Sequence, residues 1–587
     1  MKILDKIESP EDVKQLNIKE LNILTDELRE ALITYLSKHG GHIGPNLGVV
    51  ELEVALHYVF NSPVDKIVYD VSHQCYVHKI LTGRKYAFTE EEHFGEVTGF
   101  SEPTESEHDF FRMGHTSTSI SLLNGLQRAR DIKGDKENVI AVIGDGSLSG
   151  GEAYEGLNNV SEAGTNAIII VNDNEMSISE NHGGLYKNLK ELRESNGKCE
   201  NNFFKALGFS YFYLEEGNDV EALIGILSKL KDTKEPTVLH IHTLKGKGLS
   251  YVIENEEKYH SGGPFNRENG EYLSKDSEDY IPLTVDYLTN KIKQGKNIAI
   301  VVSGTPSYFF KKKEDRDMLS NHFIDVGIAE EHAAAMISGM ARNKVKPVYM
   351  VASSFLQRAF DQVSQDLSMN NNPAVILTFW ASIYGMNSAT HLGFFDIPLL
   401  SNIPNLVYLA PTSKEEYIGM LKWAIKEKDK SVAIRVPANK MISIGKLANT
   451  DYSILNKSKV VKEGRDVAIL AVGSFFSRGE KIAKKLKDDL NINATLINPV
   501  FLTGLDKDLL DKISKNHKLV ITLEDGIIEG GFGQKVASFY GKYDIRVLNF
   551  GIKKKFYNGY KVDEILKDNN LNIDTIVKEV KRYVEFL

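Results

Sequence analysis

Short runs of apolar, often β-branched residues alternate with longer segments of helical period along most of this chain, the pattern of strands and helices in α/β layers. Val139–Ile143 leads directly into Gly144-Asp145-Gly146, and Ala167–Val171 into Asn172-Asp173-Asn174. Comparable runs recur at Ile298–Val302, Val348–Val351, Ala374–Thr378, Val407–Leu409, Val432–Ile434, Val467–Val472, Ala494–Ile497, Leu519–Leu523 and Ile545–Leu548. Each is short and continuously apolar rather than alternating, so each predicts a strand covered on both faces, as in parallel sheets flanked by helices.

Two interruptions divide the pattern. Residues 253–285 are polar, contain glycine and have no strong period, which reads as a linker, with the strand–helix pattern resuming at about residue 286. A second break covers 437–462. The expected organisation is a first α/β domain over 1–255, a linker over 256–285, a second domain over 286–445 and a third over 455–587. A length of 587 residues supports several domains of ordinary size. With 71 basic against 80 acidic residues, the net charge of −9 argues against a nucleic-acid binder. Two cysteines, Cys75 and Cys199, make neither a disulfide framework nor a Cys-rich zinc site, which favours a reducing, cytoplasmic compartment. The charged opening residues resemble no signal peptide, and no apolar stretch is long enough to span a membrane.

The chemistry concentrates where two of the predicted strands end. If those strands are parallel neighbours, Asp145 and Asn174 converge on one sheet edge, where ligands of open α/β sheets bind. Mg²⁺ requires hard oxygen ligands and commonly shares them with a phosphate group. Asp145 and Asn174 offer side-chain oxygens and the Met176 carbonyl a third, while Gly144 and Gly146 allow close backbone approach to a diphosphate. Taken alone, Gly-Asp-Gly is an ordinary turn. The two turns together at this spacing favour the ligand site.

These motifs resemble those of thiamine diphosphate (ThDP) enzymes, which hold their cofactor through Mg²⁺. The surrounding words narrow the resemblance to the 1-deoxy-D-xylulose-5-phosphate synthases, over nearly the whole chain and in the family's order. They are His39-Gly40-Gly41-His42, Asp70–Gln74, His78–Arg84, Gly114-His115-Thr116-Ser117-Thr118-Ser119, Asn172–Ser179, Ile328–Ala333 and Phe355–Gln362. The resemblance implies a transketolase-like architecture of three doubly wound domains with mostly parallel sheets, binding the diphosphate, then the pyrimidine, then closing with a C-terminal domain that supports a homodimer. It also implies an enzyme that decarboxylates pyruvate and joins the two-carbon unit to D-glyceraldehyde 3-phosphate.

Residue roles follow from the same resemblance. Glu330, expected at a strand-to-helix junction, is the carboxylate that polarises the cofactor's pyrimidine; outside the motif, a Glu there would read as a helix cap. Phe355 stacks on that ring. His42, His73, His260 and His391 are catalytic imidazoles, suited to donate to a developing alkoxide or to move protons near neutral pH. His73, Gly114, His115, Thr116, Asp145, Gly146, Ser147 and Asn174 contact the cofactor, and Asp145, Asn174 and Met176 hold Mg²⁺. His42, Arg358, His391 and Arg435 face substrate. The Ser/Thr-rich turn at 114–119 also has a plain reading as a helix N-cap.

Several positions depart from the family. Ala352 stands where a tyrosine is usual, Trp380 replaces a phosphate-gripping arginine, and Asn387 replaces an acidic residue. Leu249 replaces a tyrosine near the cofactor, although Tyr251 is close, and part of the family's segment after Ser179 is missing. These changes leave open an alternative: transketolase-type or other ThDP-dependent ketol transfer to a different acceptor. A ThDP-binding paralogue without activity is a third reading, opposed by the retained Glu330, Asp145, Asn174 and histidines. In the C-terminal part, Glu524-Asp525-Gly526 and the Gly530–Gly533 cluster lack the spacing of a nucleotide-binding loop, so a structural role is expected there.

Overall fold

The computed structural model describes residues 2–273, 279–445, 449 and 451–584. The chain divides into two compact units, one of residues 1–276, 304–308 and 327–329, the other of 277–303, 309–326 and 330–587.

The first unit is built on five strands: β1 (Lys66–Tyr69), β2 (Val139–Gly144), β3 (Ala167–Asp173), β4 (Ser210–Leu214) and β5 (Pro236–His242). They lie in the order β1-β2-β3-β5-β4 and every pairing is parallel. All seven residues of β3 are buried, as are all residues of β2 before Gly144. That is why both read as unbroken apolar runs: helices cover each face of the sheet. The helix Gly151–Ala163 makes the crossover from β2 to β3. Gly144 lies opposite Asn172 in the register, so the two chemically rich turns leave the same edge side by side.

The second unit contains two sheets. β6 (Ile298–Val302), β7 (Phe323–Asp325), β8 (Lys346–Ala352), β9 (Val375–Phe379), β10 (Leu406–Leu409) and β11 (Ser431–Arg435) form the parallel order β10-β11-β9-β8-β6-β7. β12 (Lys459–Lys462), β13 (Asp466–Ala471), β14 (Thr495–Asn498), β15 (His517–Ile527) and β16 (Arg546–Ile552) form the order β12-β14-β13-β15-β16, with only β12 antiparallel. The two sheets share one apolar core, in which Ile376 and Tyr408 cluster with Leu470, Ile497 and Val520. Backbone bonds from Ala410 to Val500 (2.9 Å) and from Leu502 to Tyr408 (2.8 Å) stitch them together. Among the described residues, no helix is long and apolar enough to cross a membrane.

All eleven apolar runs lie in strands. Five strands carried no such run, each for a visible reason. β1 and β7 are very short, β4 is an aromatic edge strand exposed on part of its length, and β5 is interrupted by His240 and His242. β12 is exposed at every position and falls inside the second break. The helix Tyr280–Lys293 starts before residue 286, with Asp279 capping its Ile281 amide and Tyr280, Thr284 and Leu288 forming its buried stripe. Part of each break, residues 274–278 and 446–448 with 450, lies outside the described residues.

Candidate active site

In the first unit, the turns after β2 and β3 come together as the spacing predicted. Asp145 is 1% exposed, and its Oδ2 accepts from the Asn181 amide at 2.7 Å. Burial first, and then the neighbouring Asp173 carboxylate, push the Asp145 carboxyl well above its usual range. Asp173 is itself held ionised, burial being outweighed by His240, at 2.8 Å, and by Arg193. A group in this position is stabilised as an anion by a nearby cation. With the Asn174 Oδ1, which accepts from the Met176 amide at 3.3 Å, and the Met176 carbonyl, it makes a hard, all-oxygen donor set that fits Mg²⁺. A side chain at Gly144 would meet no atom within 4 Å, so no packing contact within the protein requires glycine there. Gly146 behaves differently: a Cβ there would lie 2.5 Å from the Ser177 Cβ, so this glycine lets the two turns touch. A cleft of about 500 Å³ opens here, lined by Asn174, Met176, Asn181 and Glu256.

The turn at 114–119 is fastened from outside. The Asp70 carboxylate, at the end of β1, accepts from the Ser117 and Ser119 amides at 2.9 and 3.0 Å. Ser117 Oγ donates to the Ser147 carbonyl at 2.7 Å, joining Gly114, His115 and Thr116 to the Asp145 turn. The N-cap reading fails here, because Thr118 makes no side-chain cap for the helix Ser119–Lys133.

His42, His73 and His260 form a triangle, with ring centroids 5.1, 5.4 and 5.8 Å apart. Residues 259–262 reach this place by pairing with the chain at 41–44: Gly41 and Gly262 exchange backbone bonds of 2.8 and 2.9 Å, and the Gly44 amide donates to the Tyr259 carbonyl at 2.9 Å. Gly40 makes that approach possible, since a Cβ on it would lie 2.5 Å from the Gly262 carbonyl oxygen. Burial pushes His42 down to about 4 and His260 well below its usual range, so both are neutral hydrogen-bonding groups at neutral pH.

Four residues of this site were not anticipated. Lys245 is 2% exposed, its ammonium pushed down to about 8 by burial, and its Nζ donates to the Ser177 carbonyl at 2.6 Å. Within Lys245-Gly246-Lys247-Gly248 it reads as a solvated loop. Asp173 and Asn181 looked like turn residues, and Asn46, in Gly44-Pro45-Asn46, gave no signal at all. Tyr251 points its hydroxyl at the Arg267 carbonyl (3.0 Å), and Leu249 packs against the unit's core. A second buried group, Glu53, His57 and His78, is tied by direct bonds: His57 Nε2 to His78 Nδ1 (2.9 Å), His78 Nε2 to Asp109 (2.8 Å) and Tyr69 to Glu53 (2.7 Å). Within this buried polar network His57 Nδ1 and Glu53 Oε1 have no hydrogen-bond partner among the described residues.

In the second unit, Glu330 begins the helix Glu330–Arg342 and is 4% exposed, at the junction expected of it. Burial raises its carboxyl to about 7, against the pull of Arg358, whose Nη1 is 3.6 Å from Oε2. That oxygen has no hydrogen-bond partner among the described residues. Phe355 and His391 meet edge to face with centroids 5.6 Å apart, and Thr390 Oγ1 is 2.9 Å from His391 Nδ1. Ala352 is buried at the end of β8. Trp380 holds a left-handed φ of 55° and packs against Phe309 and Phe379. Its carbonyl presses on Gly385 and Gly393, where a Cβ would come within 2.3 and 2.0 Å. Asn387 is exposed and bonds to the Tyr560 carbonyl at 3.0 Å.

Arg435 differs from its expected role at an acceptor phosphate. It is 3% exposed and held between the carboxylates of Asp396 and Asp525, whose negative charge disfavours a second anion. The glycine cluster at 530–533 is internally satisfied as well: Glu524 accepts from the Phe532 and Gly533 amides, both at 2.8 Å, and Gln534 from the Gly530 amide at 2.8 Å.

Residues 295–442 match the pyrimidine-binding domain of transketolase and 456–576 its C-terminal domain. A solved transketolase from Campylobacter jejuni aligns over 97% of this chain and all of its own, at 16% identity and a TM-score of 0.44. Three α/β sheets with the two domain matches at 295–442 and 456–576 define a transketolase-like chain. Residues 4–200 and 195–243 match the family described as 1-deoxy-D-xylulose-5-phosphate synthase. The synthases of Clostridium acetobutylicum and Caldanaerobacter subterraneus subsp. tengcongensis are each 38% identical to this chain, over 98% and 99% of it and 99% of their own lengths. The chain belongs to the 1-deoxy-D-xylulose-5-phosphate synthase family.

Proposed function

We propose that this protein is a ThDP- and Mg²⁺-dependent carboligase that decarboxylates pyruvate and joins the remaining two carbons to D-glyceraldehyde 3-phosphate, working as a cytoplasmic homodimer. Three modules carry the work: 1–255 for the diphosphate, 286–445 for the pyrimidine and 455–587 as the C-terminal domain. When bound, ThDP supplies the nucleophilic carbon and the electron sink that the reaction requires. Asp145, Asn174 and the Met176 carbonyl would hold Mg²⁺, and Gly114, His115, Thr116, Gly146 and Ser147 would contact the diphosphate, with Lys245 adding a positive charge. Glu330 would exchange a proton with the cofactor's pyrimidine, and Phe355 would help to hold that ring. His42 and His260, kept neutral by burial, and His73 beside them donate hydrogen bonds to oxygen as negative charge develops on it. His391 and Arg358 orient substrate.

Glu330 is the observation that carries this reading. A carboxyl raised to about 7 exchanges its proton near neutral pH, where general acid–base catalysis is most effective. The test is purified protein with ThDP, Mg²⁺, pyruvate and glyceraldehyde 3-phosphate: CO₂ release and 1-deoxy-D-xylulose 5-phosphate are expected, and no pyruvate decarboxylation would overturn the proposal. The burial of Arg435 between two carboxylates favours one second reading, transfer to a different, unphosphorylated acceptor. Parallel reactions with unphosphorylated glyceraldehyde, and with ketose donors that release no CO₂, separate the two.

A further inference from the structure

Asn46 is fully buried in the short helix Ile43–Gly48 and uses both ends of its amide. Its Nδ2 donates to two carbonyl oxygens, those of His42 and His73, each at 2.8 Å. Its Oδ1 accepts from the Tyr76 amide at 3.0 Å. One side chain therefore ties together the loop bearing His42, the turn bearing His73 and the helix that follows. No other uncharged side chain of this length offers two donors and an acceptor in one plane.

The turn needs such a fastening. Val71 and Ser72, immediately before His73, both have left-handed φ values, of 58° and 62°. That region is unfavourable for a non-glycine residue and most of all for β-branched valine. Strain of this kind persists only where neighbouring bonds over-determine it. On the upstream side they do: the Asp70 carboxylate binds the Ser117 and Ser119 amides, and Ser72 Oγ accepts from the Ser101 amide at 2.8 Å. On the downstream side the bond to the His73 carbonyl comes from Asn46.

We propose that Asn46 is a positioning residue that sets the spacing of His42 and His73, 5.1 Å between ring centroids, by clamping their backbone carbonyls so that the two imidazoles act as one unit. The proposal rests on the reading of these histidines as hydrogen-bond donors to the substrate. Misplacing a reacting group by about 1 Å costs roughly 10²-fold in rate. Asn46→Ala in the holoenzyme is therefore expected to lower kcat by about 10–100-fold with little change in the KM for pyruvate.

A double-mutant cycle separates positioning from general damage. Acting through His73, Asn46→Ala costs less than about 3-fold more in a His73→Ala background, within the usual range for coupled groups. A second readout needs no turnover: in the apoprotein labelled at histidine, the imidazole resonances of His42 and His73 should move together in Asn46→Ala. Unchanged kcat, full additivity with His73→Ala, or unmoved resonances would overturn the proposal. If His73→Ala itself keeps full turnover, the histidine reading has failed instead, and the resonances still decide whether Asn46 sets the two rings. Should Asn46→Ala not fold, Asn46→Ser, whose hydroxyl cannot bridge both carbonyls, is read by the same criteria.

Discussion

Arg435 Nε donates to Asp396 Oδ2 at 2.7 Å, while its Nη1 binds the Asp525 carboxylate, so one guanidinium at the end of β11 bridges two sheets. Tyr408 and Ser382 donate to the same two acids. Removing one member of such a buried set leaves uncompensated charge, at a cost of about 3–5 kcal/mol. Arg435→Met should lower unfolding stability by that amount in urea titrations, and turnover with phosphorylated and unphosphorylated glyceraldehyde should fall in parallel. A variant of normal stability that loses only the phosphorylated acceptor would restore the phosphate role expected from the motif.

Glu330 gives a prediction with a definite sign. Burial pushes its folded carboxyl up to about 7 from the ordinary 4.5, so across that window the native state holds a proton that the unfolded state has lost. Stability then falls as pH rises through the window, by about 3 kcal/mol in all. Glu330→Gln removes this dependence. Urea titrations at pH 5 and pH 8 should show the variant gaining on the wild type by about that amount as pH rises, while turnover falls by roughly 10²–10⁴. Stability curves that stay parallel would mean that the carboxyl is not raised.

Most of the framework was readable from the pattern of apolar runs, because doubly covered parallel strands leave a signal that depends on burial alone. Where burial is partial, as in β4 and β12, the signal disappears. The convergence of Asp145 and Asn174 followed from strand order, and the motifs supplied Glu330 and the histidines. What the sequence hid is pairwise. Asn46, Lys245 and Asn181 matter through what they touch, and the same residue types on a solvated loop look alike. Arg435 shows the converse. Its motif was visible but its partners, Asp396 and Asp525, lie 39 and 90 residues away.

Asp145 should make the response to Mg²⁺ depend on a single side chain. Adding Mg²⁺ with ThDP should raise the thermal midpoint of the wild type, because a ligand that binds only the native state stabilises it by mass action. EDTA should reverse the shift. Asp145→Asn keeps the shape and loses the charge, so its midpoint should be insensitive to Mg²⁺ at concentrations that saturate the wild type. An undiminished, EDTA-reversible shift in this variant would place the cation elsewhere.

Lys245 sets stability against binding. Its ammonium is buried and donates to the Ser177 carbonyl at 2.6 Å, and burial drives its ionisation down to about 8. A buried charge bonded only to a neutral carbonyl carries a desolvation penalty that an apolar side chain of similar volume does not. Lys245→Met should therefore leave the apoprotein at least as stable as the wild type in urea. The same change deletes a cation from the proposed diphosphate site, where a charge-assisted contact contributes about 1.5–3 kcal/mol. Calorimetric titration with ThDP and Mg²⁺ should show an affinity loss of about 10–100-fold. A less stable apoprotein that binds ThDP normally would make Lys245 a structural residue, anchoring the Ser177 turn and nothing more.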